Sequence, residues 1–422
     1  MVKKMFKYIL VVEDSQMFTR ILKRSIESVN HFKVITVENF ADLKKLLSEK
    51  KYTFFASLLD VNLPDAPNGE VIDYVLDHEI PSIVFTGKLD EHFRKKIYTK
   101  GIVDYVLKEG PTNVDYMVSL LKQLDRNRQL SVLIVDDSKS ARSYIKHLLL
   151  IYQFEVFEAQ DGIDALQVIE KNKEISLVLT DFNMPRMDGL ELTKNIRRLY
   201  NSQEMAVIGM STFGNNQLSA HFLKLGGSDF ITKPFLEEEF FCRINQNMEL
   251  LEHIRELKYL ASRDYLTGLY NRRHFFDHGE NLFNQYKETP FNSAVALLDI
   301  DFFKKVNDSY GHDIGDLVLL KLGNILLKEF SDNALVARYG GEEFCFLLIE
   351  TSKDNALQRF ESLRALVEAD SFILESGVEL KVTISIGLFI GEQESLESAL
   401  SQADKSLYQA KENGRNQVML MQ

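Results

Sequence analysis

Short apolar runs alternate with amphipathic stretches over residues 8–250 of this 422-residue chain. In the second half of that region the apolar runs are Val132–Val135, Val156–Glu158, Leu177–Thr180, Val207–Met210 and Asp229–Ile231. Apolar runs with helical patterns between them indicate a parallel β-sheet that helices cover on both faces. The carboxyl ends of the strands form the ligand-binding edge of such a sheet.

The same unit occurs twice in this region. The recurring segments are Tyr8–Ser15 with Val132–Ser138, Leu58–Asp65 with Leu179–Arg186, and Asp104–Lys108 with Asp229–Lys233. The two copies keep a nearly constant offset of about 123 residues, which indicates a tandem duplication.

Acidic residues, a hydroxyl residue and a lysine follow the apolar runs of each unit. They are Glu13, Asp14, Asp60, Thr86 and Lys108 in the first, and Asp136, Asp137, Asp181, Ser211 and Lys233 in the second. We expect each set to converge at the carboxyl edge of its sheet. Three carboxylates repel one another unless a hard cation such as Mg²⁺ lies among them. With a lysine and a hydroxyl they can support transfer of a phosphoryl group to an aspartate; a solvated acidic rim is the alternative.

Both units resemble the receiver domains of response regulators. The resemblance implies two flavodoxin-like, doubly wound α/β domains, residues 1–126 and 127–250. It also implies that Asp60 and Asp181 accept phosphate from a histidine kinase. The Mg²⁺ ligands it implies are Glu13, Asp14, Asp60, Asp136, Asp137 and Asp181. The switch residues it implies are Thr86, Tyr105 and Lys108, and Ser211, Phe230 and Lys233.

One position departs from the receiver pattern. The second unit has the Lys233-Pro234 pair of the family, whereas the first has Lys108-Glu109. Both units retain the residues that phosphorylation requires, so the sequence leaves open which receiver is used.

Residues 237–261 contain no proline or glycine and predict one long connecting helix, taken as 237–262 and overlapping the end of the second receiver. Apolar gaps of three and four favour an amphipathic helix or a short coiled coil. The best seam is Leu250, Ile254, Leu257 and Ala261, with Asn247 as a polar position that sets the register. We expect the first half of the helix to pack on the second receiver and the second half to contact another helix.

A Gly-Gly pair separates two apolar runs in the C-terminal region, residues 263–422. Gly340 and Gly341 predict a tight turn between two strands, with a positive φ or a close approach to a ligand. Glu342 and Glu343 follow at once, and adjacent carboxylates can hold the Mg²⁺ that phosphates carry. A surface hairpin with solvated glutamates is the alternative.

Other residues of this region suit a nucleoside triphosphate. Asp299 and Asp301 end an apolar strand and, as residues i and i+2, share one of its faces. Lys411 and Arg415 are four residues apart and lie on one face of a helix, where they can meet phosphates or simply face solvent.

Asn307 and Asp316 suit guanine, because a carboxylate can accept hydrogen bonds from the N1 and N2 groups of that base. Taken singly, both residue types are also frequent in turns and helix caps.

Together these segments resemble the GGDEF family of diguanylate cyclases, in a Gly-Gly-Glu-Glu-Phe form. The resemblance implies an α+β domain with a mainly antiparallel sheet that condenses two GTP to cyclic di-GMP and diphosphate. The catalytic residues it implies are Asp299, Lys304, Glu342 and Glu343, with Glu342 as a candidate base. The ligands it implies for Mg²⁺, or alternatively Mn²⁺, are Asp299, the Ile300 carbonyl, Glu342 and Glu343.

The same resemblance implies further contacts to the nucleotide. They are Phe302, Phe303, Lys304, Asn307, Asp316, Gly340, Gly341, Lys411 and Arg415. Arg338 is present as in active members of the family. Ser331–Ala334 replaces the Arg-x-x-Asp motif at which product inhibits many members, so we expect weak inhibition through that site.

Charge and composition exclude other classes. A net charge of −12 argues against non-specific nucleic-acid binding, which needs a basic face. Two distant cysteines predict no disulfide framework and fit a reducing, cytoplasmic compartment. No apolar run reaches the roughly 20 residues of a membrane helix, so no membrane partner is expected.

The hypothesis is a phosphorylation-regulated diguanylate cyclase that its receivers activate by driving homodimerisation. The alternatives are a catalytically silent scaffold that binds GTP or a partner, and a phosphorelay intermediate.

Overall fold

The computed structural model describes residues 6–87, 97, 99–108, 111–212, 216–286, 293–373, 379–391 and 394–421. The chain forms two compact units, Met1–Glu252 and His253–Gln422. Two five-stranded sheets lie in the first unit, and a six-stranded and a two-stranded sheet lie in the second. The domain boundaries expected at residues 126, 250 and 262 stay predictions.

The first sheet is entirely parallel, with the strand order β2-β1-β3-β4-β5 of a flavodoxin-like fold. Its strands are β1 (Lys7–Val12), β2 (Phe32–Val37), β3 (Phe54–Asp60), β4 (Ser82–Thr86) and β5 (Asp104–Leu107). The described helices around it are α1 (Gln16–Glu27), α2 (Phe40–Ser48), α3 (Glu70–Leu76) and α4 (Pro111–Asn127). Ile9 and Val11 enter one core while Leu10 and Val12 enter another, which explains the continuous apolar run of β1.

The second sheet repeats this topology, with the order β10-β9-β8-β6-β7. Its strands are β6 (Ser131–Val135), β7 (Glu155–Ala159), β8 (Ile175–Asp181), β9 (Ala206–Ser211) and β10 (Asp229–Thr232). Its described helices are α5 (Lys139–Ile151), α6 (Gly162–Lys171), α7 (Gly189–Leu199) and α8 (Asn216–Lys224). Two doubly wound parallel sheets, as the repeat predicted, are therefore confirmed.

One apolar core joins the two sheets. It contains Ile9 and Val11 of β1, Val132 and Ile134 of β6, and residues of the helix that follows β10. That helix is α9 (Glu237–Ser262), the single long helix expected from the sequence.

The N-terminal half of α9 packs on the second receiver as expected, and its Glu249 also lies 3.5 Å from Arg126 of α4 in the first receiver. Phe241 stacks on Tyr152 with ring centroids 3.5 Å apart, and the Tyr152 hydroxyl donates a hydrogen bond of 2.6 Å to the carbonyl of Val103 in the first receiver. Leu250 and Leu257, from the expected seam, are exposed. Asn247 does not join that seam, because its amide donates to the Arg243 carbonyl and faces Asp229 of β10.

The third sheet has the order β11-β13-β14-β12-β17-β18, with antiparallel pairs at its centre and parallel pairs at its edges. Its strands are β11 (Tyr270–Asn271), β12 (Ser293–Ile300), β13 (Ala334–Gly340), β14 (Glu343–Ile349), β17 (Ile384–Phe389) and β18 (Val418–Met421). A separate pair consists of β15 (Phe372–Ile373) and β16 (Glu379–Leu380). The mainly antiparallel α+β fold is thereby confirmed.

The helices of this unit cover both faces of the six-stranded sheet. They are α10 (Arg272–Tyr286), α11 (Phe303–Tyr310), α12 (His312–Glu329), α13 (Lys353–Ala369) and α14 (Leu396–Glu412). Val295 and Leu297 of β12 share a core with α14, so alternation along the strand places Asp299 on the α14 side. A Cβ at Gly387 would collide with the backbone of α14, so this glycine lets the helix lie directly on the sheet.

None of the helices in the described part of the chain is long and apolar enough to cross a lipid bilayer.

Candidate functional site

The first receiver brings its expected phosphorylation residues together. Glu13 and Asp14 follow β1, Asp60 ends β3, and their carboxylate oxygens lie within 4.8 Å of one another. Lys108 follows β5, and its Nζ lies 2.7 Å from Glu13 Oε2 and 2.8 Å from Asp60 Oδ2. Thr86 ends β4 and is buried.

The electrostatics of this cluster favour a cation. Burial raises the pKa of Glu13, although its hydrogen bond to Lys108 opposes the rise. Burial alone would lower the pKa of Lys108, but its hydrogen bonds to Asp60 and Glu13 outweigh burial and raise that pKa. Three close carboxylates offer the hard oxygen ligands that Mg²⁺ prefers, so the donor set fits the expected ion. Glu109, where the Lys-Pro pattern fails, lies outside the described residues.

The second receiver shows a corresponding lysine bridge between two of its expected site carboxylates. Lys233 Nζ lies 2.7 Å from Asp136 Oδ2 and 2.6 Å from Asp181 Oδ1. Burial would lower the pKa of Lys233, but the hydrogen bonds to Asp136 and Asp181 raise it overall. Asp137, the next residue after Asp136, is exposed, and Ser211 is buried at the end of β9.

The expected switch aromatics are both buried. Tyr105 lies on β5 and Phe230 on β10, each on the strand that precedes the site lysine.

The Gly-Gly hairpin is present as predicted. Gly341 has a φ of +52°, and a Cβ built on Gly340 or Gly341 would meet nothing within 4 Å, so the turn is open to a ligand. Glu343 begins β14 directly opposite Asp299 of β12. Directly opposed residues share a sheet face, so this register places two carboxylates side by side. Both glutamates are partly buried, which disfavours a fully solvated hairpin.

Asp299 is the buried centre of the acidic site beside this hairpin. Its Oδ2 lies 2.8 Å from Lys411 Nζ on α14. Burial raises the pKa of Asp299 although Lys411 opposes the rise, and burial followed by the charge of Asp299 raises the pKa of Glu343. These carboxylates, with Glu342 in the adjoining turn, supply oxygen ligands that fit a hard divalent ion.

Asp301 does not join Asp299 in this acidic site, although two residues that are two positions apart on a strand were expected to share a face. The strand β12 ends at Ile300, and the Asp301 carboxylate accepts hydrogen bonds of 2.7 Å from Thr383 Oγ1 and from Ser385 Oγ. It also accepts one from the Asn416 backbone N–H. Its oxygens therefore tie three segments together.

Two further expectations need correction. Phe303 is buried in the apolar core, so its side chain is not available to a nucleotide. Arg415 does not lie on a helix face with Lys411, because α14 ends at Glu412 and Arg415 adopts a left-handed φ of +64°. Its guanidinium donates instead to the Lys411 carbonyl, 3.2 Å away, and lies 4.6 Å from the centroid of the exposed Phe302 ring.

The expected guanine-binding residues lie on two packed helices. Asn307 is on α11, as is the expected catalytic residue Lys304, and Asp316 is exposed on α12. A Cβ at Gly315 would overlap Asn307 Oδ1, so this glycine allows the close approach of the two helices. Asn307 and Asp316 both lie inside helices, so neither is a turn or cap residue.

Arg338 has a positional role that sequence spacing did not reveal. Its Nε donates 2.9 Å to the Gly341 carbonyl, and its Nη1 lies 3.3 Å from both carboxylate oxygens of Asp264. Asp264 also accepts from the N–H and the hydroxyl of Thr267. Burial would raise the pKa of Asp264, but these partners outweigh it and lower that pKa.

The segment that follows α9, which contains Asp264, also caps the C-terminal end of that helix. Asn271 Nδ2 donates a hydrogen bond of 2.7 Å to the carbonyl of Ala261 in the last turn of α9. A run of polar residues after a helix is the only sequence signal for such a cap, and it does not identify the partner.

Comparison with protein-family models gives two matches. The response regulator receiver domain matches residues 9–119 and 132–245, and the diguanylate cyclase GGDEF domain matches residues 261–417.

Two curated relatives are each similar to part of the chain. The chain is 32% identical over 310 residues to response regulator PleD of Caulobacter vibrioides, covering 68% of this chain and 65% of PleD. It is 40% identical over 180 residues to diguanylate cyclase A of Treponema denticola, covering 41% of this chain and 46% of that protein. The chain thus spans less than two thirds of the length of these relatives.

A solved crystal structure is similar over more than half of the chain. It is of a two-component system response regulator/GGDEF domain protein, with a TM-score of 0.53 and 34% identity. The match covers 58% of this chain and 99% of that one.

Proposed function

Because this chain belongs to the response regulators and carries two receiver domains followed by a GGDEF domain, we propose that it is a phosphorylation-regulated diguanylate cyclase. Two GTP molecules condense to cyclic di-GMP with release of two diphosphates. The observation that carries this proposal is the buried Asp299 carboxylate, opposite Glu343 and paired with Lys411 at an open Gly-Gly turn.

Asp299, Glu342, Glu343 and the Ile300 carbonyl would hold Mg²⁺, with Mn²⁺ as an alternative. The ion would neutralise phosphate charge and acidify a hydroxyl bound to it. Lys411 pairs with Asp299 and, in this proposal, would share a phosphate oxygen with the metal site.

The remaining contacts would position the nucleotide. The Gly-Gly turn admits phosphates to the backbone, while Lys304 and Arg415 supply positive charge. Asn307 and Asp316 would select guanine, because the Asp316 carboxylate accepts hydrogen bonds that adenine cannot donate in the same pattern.

One domain would hold one GTP, so a product with two-fold symmetry needs two domains facing each other. The proposal therefore includes a homodimer. A histidine kinase would phosphorylate Asp60, Asp181 or both, and the receivers would control dimer formation.

A specific observation supports a second candidate. Both receivers retain a lysine paired with the phosphoacceptor aspartate, as a phosphorelay intermediate would require. Transfer of labelled phosphate from one receiver onward to a phosphotransfer partner, without nucleotide turnover, would favour that candidate. A silent GTP-binding scaffold would bind GTP and leave it intact.

Incubation of the full chain with Mg²⁺ and GTP, with and without beryllofluoride, followed by chromatography of the products, tests the proposal. We expect cyclic di-GMP, more of it with beryllofluoride. Glu342→Ala should lower the rate by about a hundredfold or more while the protein stays folded. The exposed Glu379→Ala serves as the matched control. Unconsumed GTP with well-folded, stimulated protein would reject the proposal.

Product inhibition gives a separate prediction. Residues 331–334, which end on the first residue of β13, contain no Arg-x-x-Asp motif. Added cyclic di-GMP should therefore inhibit initial rates weakly through this segment. Strong inhibition at micromolar product that a substitution of Asp332 relieves would contradict the prediction.

A further inference from the structure

The turn that follows α14 has an unusual backbone. Gly414, Arg415 and Asn416 have φ values of +111°, +64° and +46°, so three successive residues adopt a positive φ. Glycine adopts such angles freely and asparagine tolerates them, but arginine rarely does. Strained residues persist where the surrounding structure fixes them, and they cluster at ligand-binding sites. This turn therefore requires contacts that hold it in its conformation.

A buried carboxylate holds the backbone of the turn. Asp301 is 5% exposed, and its Oδ2 accepts a hydrogen bond of 3.0 Å from the Asn416 N–H. The same carboxylate accepts from the hydroxyls of Thr383 and Ser385, and Ser385 belongs to β17. Asp301 thus connects the turn to the six-stranded sheet.

Two residues of α13 hold the Asn416 side chain. Asn416 Nδ2 donates a hydrogen bond of 2.7 Å to Glu368 Oε1, and Asn416 Oδ1 accepts one of 3.1 Å from Arg364 Nη1. Arg364 Nη1 also donates 2.8 Å to Glu368 Oε2, which fixes these two side chains relative to each other. The Asn416 amide is therefore held through both its donor and its acceptor.

These contacts bear directly on Arg415, the residue before Asn416. The Arg415 N–H donates 2.9 Å to the Ala410 carbonyl of α14. Its guanidinium lies beside two expected nucleotide contacts, with Nη1 3.2 Å from the Lys411 carbonyl and the charged group 4.6 Å from the centroid of the Phe302 ring. Because neighbouring residues share a planar peptide bond, a change in the Asn416 backbone would reorient Arg415.

Four residues together hold this turn and are called the turn anchor: Asp301, Arg364, Glu368 and Asn416. We propose that the turn anchor positions the Arg415 guanidinium to bind a phosphate of GTP, an inference that rests on the proposed nucleotide site of this domain. Its members are positioning residues, which act on the nucleotide only through Arg415. A guanidinium that is held in place before the nucleotide arrives loses less freedom on binding. Neither Arg364 nor Glu368 lies in the segments that resemble the GGDEF family.

Calorimetric titration of the full chain with α,β-methylene GTP and Mg²⁺ tests this inference. In this analogue a CH₂ group replaces the oxygen between the α- and β-phosphates, so diphosphate is not released and binding is measured without turnover. Glu368→Ala, at an exposed position, should weaken binding by about fivefold or more, because a misplaced contact loses much of its effect. Glu361→Ala should bind as wild type and is the matched control. Glu361 also pairs with Arg364, 2.9 Å away, but within the described residues it makes no hydrogen bond to Asn416.

An exchange of donor and acceptor tests the hydrogen bond between Asn416 and Glu368. Asn416→Asp removes the donor and brings two carboxylates together, so it should weaken binding by about tenfold or more. Adding Glu368→Gln supplies a donor from the other side and restores the net charge of the wild type. The double variant should therefore recover an affinity within about threefold of wild type.

A double-mutant cycle tests whether the turn anchor acts through Arg415. Arg415→Ala should itself weaken binding by about tenfold, since a charge-assisted contact to phosphate is lost. In that background Glu368→Ala should cause no further loss, because the group that it positions is absent. A merely structural role of Glu368 would lower the affinity equally in both backgrounds.

The inference and the proposed cyclase activity can fail separately. Equal affinities of wild type and Glu368→Ala would overturn the role of the turn anchor even if cyclic di-GMP is formed. An exchange variant that binds no better than Asn416→Asp, or a Glu368→Ala effect that persists without Arg415, would do the same. Failure of the wild type to bind the analogue would overturn both. Binding of the analogue with the expected variant effects, but without cyclic di-GMP from GTP, would reject the proposed activity alone.

Discussion

Arg338 connects the Gly-Gly turn to Asp264, which lies in the segment that follows α9. It is half of an ion pair with Asp264 and also holds the Gly341 carbonyl. Arg338→Ala would leave the partly buried Asp264 carboxylate without its charged partner. We expect a loss of about 1–3 kcal/mol in unfolding free energy, measured by urea denaturation.

The exposed Arg273→Ala is the control for this substitution, because it removes the same charge without a buried partner. Arg338→Lys keeps the charge but cannot reach both acceptors, so its stability should fall between the other two. Equal midpoints for Arg338→Ala and Arg273→Ala would contradict the role of Arg338.

The lowered pKa of Asp264 predicts that the stability of the second compact unit depends on pH. Its pKa is lowered in the folded state, so the folded protein binds fewer protons than the unfolded chain near the usual carboxyl pKa of 3.8. The stabilisation is therefore present above that pH and is lost as the pH falls through the lowered value. Asp264→Asn should remove this part of the acid sensitivity.

Other carboxylates titrate in the same range, so the informative quantity is the difference between wild type and Asp264→Asn. Urea midpoints for both proteins should converge between pH about 5 and about 2. A difference that stays constant with pH would show that Asp264 does not contribute through its charge.

For single residues, the sequence predicted which residues form the site but not always the direction in which their side chains point. The motifs located Asp299 and Glu343, and strand alternation was enough to place Asp299 correctly. It failed for Asp301, because the strand ends one residue earlier and the backbone turns its carboxylate inward. The prediction that Arg415 shares a helix face with Lys411 was wrong for a similar reason. The helix ends before Arg415, and the left-handed φ of Arg415 changes the direction of the chain.

Among the elements, α9 was predictable in extent but not in packing. The absence of glycine and proline gave a helix close to the observed Glu237–Ser262. Its apolar residues do not form one stripe, because the buried ones in its first half enter the core that both receivers share, and Glu249 of the same half pairs with Arg126 of the first receiver. The sequence alone could not show the contact of α9 with the first receiver, since that contact depends on how the two receivers pack on each other.

The second half of α9 leaves large apolar side chains in solvent. Leu250, Leu257 and Leu260 are 59%, 65% and 64% exposed. Such residues favour a helix–helix contact with another copy of the chain. Leu257→Asp should therefore lower the dimer fraction by about tenfold or more in sedimentation velocity.

Glu256→Lys is the control for charge at a neighbouring exposed position outside the seam. It should leave the dimer fraction of the activated protein nearly unchanged. If Leu257→Asp forms dimers as readily as wild type, the dimer contact lies elsewhere.

On the scale of the whole molecule, the two receivers form a joined pair. They share one apolar core, and Tyr152 of the second holds Val103 of the first, two residues before the switch aromatic Tyr105. A change at β5 on phosphorylation would therefore meet the second receiver directly. The repeat predicted two receivers, but only their packing shows this contact.

This joined pair leads to a prediction about phosphorylation. In the proposed mechanism a phosphoryl mimic on Asp60 or Asp181 binds the lysine that now pairs with that aspartate, Lys108 or Lys233. This change shifts the receiver pair toward the conformation that dimerises. Asp60→Asn or Asp181→Asn should then reduce the beryllofluoride-induced dimer fraction and GTP turnover together. The double variant should show no response, while the exposed Asp115→Asn responds as wild type.

Sedimentation and product chromatography on the same samples separate the possible routes. Loss of both responses in one single variant assigns phosphorylation to that receiver, and partial loss in each assigns it to both. Because dimerisation is proposed to bring two GTP molecules together, turnover should follow the dimer fraction at every protein concentration. A double variant that still dimerises and turns over GTP like wild type with beryllofluoride would refute control by phosphorylation.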